Sequence, residues 1–181
     1  NEIVFKEISF YRVLSHSIKQ IMSVHQEMNV ELEYDFKTNR KILGEETRLS
    51  PILVNLISNA VEAIRDIGNR YDGKIRFASF ADGKEFHFLI FNDGPEIPEK
   101  VINEIFKPLF THGKASGTGL GLSSVQKAVN DLKGKISVKN VPGSGVEFNL
   151  IFLIGSEEDT YVKDNFLNNS KAYEYKTENP T

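Results

Sequence analysis

The chain has no cysteine, which excludes thiol catalysis, a cysteine zinc site and a disulfide framework, and which suits the cytoplasm. It has no excess of positive charge. The net charge is −3 over 181 residues, where a nucleic-acid surface would show a basic stripe. No apolar run approaches the roughly 20 residues that span a bilayer. The opening Asn1-Glu2-Ile3-Val4-Phe5-Lys6 lacks the basic-then-apolar order of a signal peptide. An initiating Met is missing too, so the chain is expected to be a fragment of a longer protein. What is present is ordinary. Hydrophobic residues make up 40% and charged residues 26%, a soluble globular composition with enough chain for one real core.

Periodicity gives a coarse order of elements. Leu14, Ile18, Ile21 and Met22 form a helical stripe over residues 10–25. Residues 30–36 alternate apolar and polar, which predicts a half-buried strand. Leu49, Ile52, Leu53, Leu56, Ile57, Ala60, Val61 and Ile64 lie on one broad face of a long helix that ends near Asp66. Strands are predicted at 74–80 and 86–91, joined by Ala81-Asp82-Gly83-Lys84, whose Asp-Gly chemistry makes a hairpin. A helical segment near 99–106, a glycine-rich stretch and a helix over about 122–132 follow. Strands at 135–139 and 146–154 close the order, with Val141-Pro142-Gly143-Ser144-Gly145 between them. This is an α+β pattern: a mainly antiparallel sheet with helices on one face. Residues 156–181 are polar and are read as a flexible tail, unless Tyr161, Val162, Phe166 and Leu167 dock as a short bound helix.

Three segments carry chemistry. Gly117-Thr118-Gly119-Leu120-Gly121-Leu122 leads straight into a helix. Alternating glycines let a backbone approach a ligand closely, and a helix start offers free N–H groups and a positive dipole end, so the pair suits phosphates. A plain glycine-rich turn is the competing reading. The segment is neither a dinucleotide fingerprint, since no strand directly precedes it, nor a G-x-x-x-x-G-K-[ST] loop. Asn55 and Asn59 stand one above the other on the long helix and interrupt its apolar character. They either hydrogen-bond neighbouring backbone or face a pocket, where an amide oxygen can ligate Mg²⁺ and Glu62 can hold a water of its shell. Phe91-Asn92-Asp93-Gly94-Pro95-Glu96-Ile97-Pro98 turns sharply at a strand end; it is a simple turn or a reader of a base edge.

Together these segments resemble the GHKL superfamily, and within it the ATP-binding catalytic domain of sensor histidine kinases. Residues 49–64 look like its N box and 91–98 like its first glycine box. Ile105-Phe106-Lys107-Pro108-Leu109-Phe110-Thr111-His112-Gly113-Lys114 looks like the F box and lid. Residues 117–122 look like the second glycine box, and Gly143-Ser144-Gly145-Val146-Glu147-Phe148 like the closing G-x-G-x-x-F stretch. The resemblance covers about residues 45–154. It implies a two-layer α/β sandwich of the Bergerat type. Residues 1–44 would supply its first helix and strand, 45–155 the ATP-binding core and 156–181 the tail. It implies ATP and Mg²⁺ as cofactors. Asn59 would ligate the metal, with Asn55 and Ala63 beside it on the helix. Asn92 would stand at the adenine-reading position, and Gly94 and Ile97 would shape the adenine pocket. Gly117, Thr118, Gly119, Leu120, Gly121 and Leu122 would cradle the phosphates. Phe106 and Phe110 would anchor the lid; Lys114 is a phosphate candidate by charge or equally a solvated lid lysine, and His112 is a phosphate candidate by its place in the lid. The sequence departs from D-x-G-x-G twice, with Asn92 for the Asp and Glu96 for the second glycine. An Asn can still accept from N6 of adenine and donate to N1. A shift that gives the role to Asp93 would break the alignment with Gly94.

Asn55 separates kinase from hydrolase. Hydrolytic members of the superfamily carry a water-activating Glu one turn before the metal asparagine, and an amide cannot take that proton at neutral pH. The phosphoryl group would then go to a histidine on a separate dimerisation domain of the same full-length protein, and on to a response regulator. Leu14-Ser15-His16-Ser17-Ile18-Lys19 resembles an acceptor box, but too few residues separate His16 from the strand at Val30 to form a return helix. His25 and His87 are expected to be structural or superficial. No nucleic acid or membrane contact is expected, with the domain in the cytoplasm and any anchor elsewhere in the longer protein. The alternatives are a non-catalytic nucleotide-binding interaction module and an anti-sigma-type serine kinase.

Overall fold

Alternating apolar residues in strands and apolar stripes on helices give two layers that close on each other. The computed structural model describes residues 2–67, 72–110, 121–159, 163–166 and 168. Among these the order is β1 (Lys6–Ile8), α1 (Phe10–Val24), β2 (Asn29–Phe36), β3 (Arg40–Gly44), α2 (Glu46–Arg65), β4 (Asp72–Asp82) and β5 (Glu85–Asn92). Then come α3 (Gly121–Asp131), β6 (Lys135–Val141) and β7 (Gly145–Glu157). The strands form one 7-stranded sheet in the order β1-β3-β7-β5-β4-β2, with β6 also on β7. The long β7 carries β5 along one edge; β6 and then β3 share the other. Only β2 with β4 is parallel, so the sheet is mixed and mainly antiparallel, as the pattern predicts.

The core lies between this sheet and the helices. Ile75, Phe77 and Ser79 of β4 are buried, as are Phe86, Phe88 and Ile90 of β5 and Val146, Phe148, Leu150 and Phe152 of β7. This period of two sends every second side chain to the helical layer. The eight apolar residues of the α2 stripe are all buried against them. α2 lies over β4 and β5, flanked by α1 and α3, and α3 covers β6. Phe10 fills the centre, its ring 4.6 Å from Phe88 and 4.8 Å from Phe86. Burying one such ring stabilises the fold by about 2–3 kcal/mol. Tyr11 beside it donates its hydroxyl hydrogen to the Thr38 carbonyl and shares a 2.8 Å bond with the Ser79 hydroxyl. Burial pushes the Tyr11 phenol up to about 12.

Three expectations change. β1 and β3 are strands that periodicity does not reveal: β1 has three residues, and in β3 the apolar pair Ile42-Leu43 is adjacent rather than alternating. The predicted helix at 99–106 is a succession of turns instead. Val101 N–H bonds the Pro98 carbonyl at 2.9 Å, Glu104 bonds Val101 at 2.8 Å, and Lys107 bonds Glu104 at 2.9 Å. Pro98 and Pro108 bracket the segment, and a proline disfavours helical geometry in the residue before it. Past Gly155 the fold continues: β7 runs through Glu157, and Asn39 pairs with the Glu158 backbone at 2.8 and 3.0 Å. Phe166 is buried, its ring 5.2 Å from Tyr34 and 5.6 Å from Phe36. Tyr161, Val162 and Leu167 lie outside the described residues.

Candidate functional site

The site is laid out along α2. Asn55, Asn59 and Ala63 occupy successive turns and so share one stripe of the helix. At one end Asn55 lies against Gly121, where α3 begins: a Cβ at Gly121 would stand 3.1 Å from Asn55 Nδ2. At the other end Ala63 lies against Gly94. A Cβ there would come within 2.9 Å of the Ala63 Cβ and 2.7 Å of Asn92 Oδ1. The stripe thus joins all three segments that the sequence singles out. Between the ends, Asn59 Nδ2 donates to Asn55 Oδ1 at 3.0 Å. That bond engages the nitrogen of Asn59, and an amide oxygen is the hard donor type that suits Mg²⁺. Glu62 accepts the Ser58 hydroxyl at 3.1 Å. Among the described residues no three His, Asp or Glu side chains gather as a metal cluster.

The Gly94 end is braced by side chains that the sequence does not advertise. Asn92 is buried on the helical side of β5, in line with Phe88 and Ile90. Its Oδ1 accepts the Gly94 N–H at 3.0 Å and closes the turn. Asp93 is committed to β4 instead: its Oδ1 accepts the Lys74 N–H at 2.9 Å, and its own N–H donates to the Lys74 carbonyl at 3.1 Å. The Lys74 amine is held above the usual lysine range, first by its hydrogen bond to Glu33. Asn140, at the end of β6, grips Ile97 as a neighbouring strand would. Its Oδ1 accepts the Ile97 N–H at 2.9 Å and its Nδ2 donates to the Ile97 carbonyl at 2.8 Å. Glu96 accepts the Gly143 N–H at 2.6 Å and ties the turn to the β6–β7 connection. Gly145, with φ +151, lies so close that a Cβ would stand 2.0 Å from the Asn92 carbonyl oxygen. An amide-bearing residue at a strand end before a turn is the only trace of Asn140 in the sequence.

At the Gly121 end, α3 starts beside Asn55, so its N-terminal N–H groups and positive dipole end lie there. Leu122 is half-buried against the core. Gly117, Thr118, Gly119, Leu120, Lys114 and His112 lie outside the described residues. Phe106 packs edge-on against Phe148 at 6.4 Å, and Phe110 rests on the core. Arg48 links Glu45 at the head of α2 to Asp131 at the foot of α3, both at 3.3 Å. A hydrogen bond from Lys127 holds the Asp131 carboxyl below its usual range. His16 is exposed on α1, and His87 stacks on Phe80 with centroids 4.5 Å apart.

The family model for histidine kinase-, DNA gyrase B-, and HSP90-like ATPases matches residues 44–155, and the chain belongs to this family. The sensory histidine kinase/phosphatase NtrB of Rhodobacter capsulatus is 35% identical over 109 residues, 56% of this chain and 30% of that protein. The signal transduction histidine-protein kinase AtoS of Escherichia coli is 32% identical over 151 residues, 80% of this chain and 24% of that one. The nucleotide-free catalytic domain of histidine kinase ThkA superposes with a TM-score of 0.73 at 28% identity, covering 83% of this chain and 97% of that domain. ThkA in complex with the response regulator TrrA matches at a TM-score of 0.70 and 26% identity, over 84% of this chain and 42% of that one. The chain spans between 17% and 31% of the length of the first curated relatives that it matches. The resemblance carried by the sequence motifs and the family found by comparison agree.

Proposed function

We propose that this chain is the ATP-binding catalytic domain of a sensor histidine kinase, which binds ATP with Mg²⁺ and presents the γ-phosphate to a histidine on a separate dimerisation domain. The observation that carries the reading is the α2 stripe, which brings Asn55, bonded to Asn59, to the start of α3 and Ala63 to the Asn92–Gly94 turn. The phosphates would lie at the Gly121 end, with residues 117–122 around them and Lys114 in reach. The base would lie in the turn between Asn92, Gly94 and Ile97. Asn59 would give its amide oxygen to Mg²⁺, which neutralises phosphate charge when bound. Asn55 has no proton-accepting carboxylate, and its oxygen already accepts from Asn59, so water is not activated there. A response regulator would receive the phosphoryl group, in keeping with the ThkA–TrrA pair. None of the described helices is long and apolar enough to cross a membrane.

The test is an ATP titration with and without Mg²⁺, followed by radiolabelled ATP in the presence of the acceptor domain. Binding that tightens with Mg²⁺, and label on a histidine, are expected. No binding at millimolar ATP would sink every nucleotide reading. Binding without transfer supports the interaction module, and acid-stable label on serine supports the anti-sigma-type kinase. The substitutions at Asn92 and Glu96 slightly favour the module on sequence alone. The bond from Gly143 N–H to Glu96 speaks against the Glu96 part, because that side chain braces the turn.

A further inference from the structure

We infer that Asn140 is a positioning residue of the nucleotide site, which sets the base-dependent share of ATP affinity by fixing the backbone of Ile97. This rests on the proposed function, which places the base between Asn92, Gly94 and Ile97. Asn140 lies in none of the segments that resemble the family's motifs, falling between 117–122 and 143–148. Strand register puts it beside the site. Val146 of β7 pairs with Asn92 of β5 on one side and with Asn140 of β6 on the other. Paired residues of neighbouring strands share a face, so the two asparagines flank the buried Val146. Two strand spacings separate them, about 10 Å. The loop that leaves β5 after Asn92 spans this gap, and the two amides hold its ends. Asn92 accepts the Gly94 N–H, and Asn140 binds both polar groups of Ile97.

The partners of Asn140 fix which way its amide faces. Oδ1 accepts the Ile97 N–H at 2.9 Å, while Nδ2 donates to the Ile97 carbonyl at 2.8 Å and to Glu99 at 3.4 Å. Reversal would set donor against donor and acceptor against acceptor. A side chain that only accepts would hold one polar group of Ile97 and repel the other. The remaining tie, from Gly143 N–H to Glu96, is single and exposed, so water can replace it. Asn140 is half-buried, and the Ile97 side chain rests on the core. Without Asn140 the loop stays fastened at Asn92, but the Ile97 end is released. The cost of ordering it again then falls on the ligand. That cost is confined to the base end, because Asn55 and the start of α3 stand about 12 Å from Ala63 along α2.

The experiment titrates the whole chain with ATP by calorimetry, with and without Mg²⁺. Asn140→Ala is expected to weaken ATP about tenfold in both conditions, so that the gain from Mg²⁺ is kept within about twofold. Asn140→Asp has the same shape but no donor, and should weaken ATP at least as much. Circular dichroism establishes that each variant is folded, and a folded variant that has lost only global stability binds ATP as before. Unchanged ATP affinity in folded Asn140→Ala therefore overturns the inference and leaves the ATP reading standing. A loss confined to Mg·ATP overturns it too, since the role would then belong to the metal end. Asn140→Asp binding ATP like the unaltered chain does the same, because one bond would then suffice. No ATP binding by the unaltered chain overturns the proposed function and this inference with it. Hydrogen exchange on the unaltered chain decides the matter even if the variants fail to fold. The Ile97 amide is expected to be protected without nucleotide, and exchange there as fast as in an unfolded peptide overturns the inference.

Discussion

At the Gly94 end of the α2 stripe, the chain is held by bonds that reach its backbone: Asn92 to Gly94, Asn140 to both polar groups of Ile97, and Glu96 to Gly143. At the Gly121 end, the described contacts are a pair of side-chain amides and the start of a helix. One end is braced through its backbone. The other is met, among the described residues, by side-chain amides and a helix start. Preorganisation lowers the cost of binding because groups are ordered before the ligand arrives. On the proposed function, the base end would be where selectivity is built, and the phosphate end where the metal would contribute.

This difference can be broken from either side. The largest effect is expected from Gly145→Ala, which drives a Cβ to 2.0 Å from the Asn92 carbonyl oxygen at a φ of +151. A loss of about 3 kcal/mol in urea unfolding is expected, from overpacking and backbone strain together. A loss under about 1 kcal/mol would show that this end yields easily. Asn59→Ala acts on the other end. It should weaken Mg·ATP roughly tenfold in calorimetry and metal-free ATP by no more than about twofold, since one charge-assisted contact is removed. Equal weakening in both conditions would place the metal elsewhere.

Asn140→Ala removes both bonds to Ile97 and should cost about 1–2 kcal/mol, with faster hydrogen exchange at the Ile97 amide as the local readout. Glu96→Gly should cost about 1 kcal/mol or less, because water can reach the exposed Gly143 N–H that it frees. Tyr11→Phe is the control remote from both ends, and ATP affinity should not change. Its signature lies in alkaline unfolding. Burial pushes the folded phenol up to about 12 from its ordinary value near 10, so stability is full below pH 10 and falls as the pH rises from 10 to 12. The variant should lose that slope, which a urea series across this range measures.

The sequence shows the frame of the site better than its bracing. Residues on α2 were legible because helical spacing sorts them: Asn55, Asn59 and Ala63 share a face that the apolar stripe defines by exclusion. Asn92 was legible because it ends the β5 run directly before the turn that Gly94 and Pro95 force. Asn140 was not, since its role depends on a loop some forty residues earlier in the chain being brought alongside β6. Glu96 read as a loss at a glycine position, and only folding brings Gly143 to it. β1 and β3 were hidden for a related reason, because pairing with a partner far along the chain makes them strands.

Phe166 has a practical bearing on how the domain is handled. The family match stops at residue 155, yet this ring seals the aromatic corner formed by Tyr11, Tyr34 and Phe36. A chain shortened to the edge of the match would keep its fold-defining strands and bare that corner to solvent. Three aromatic faces in one patch are a sticky surface. Such a shortened protein should self-associate on sizing columns at concentrations where the 181-residue chain runs as a single species.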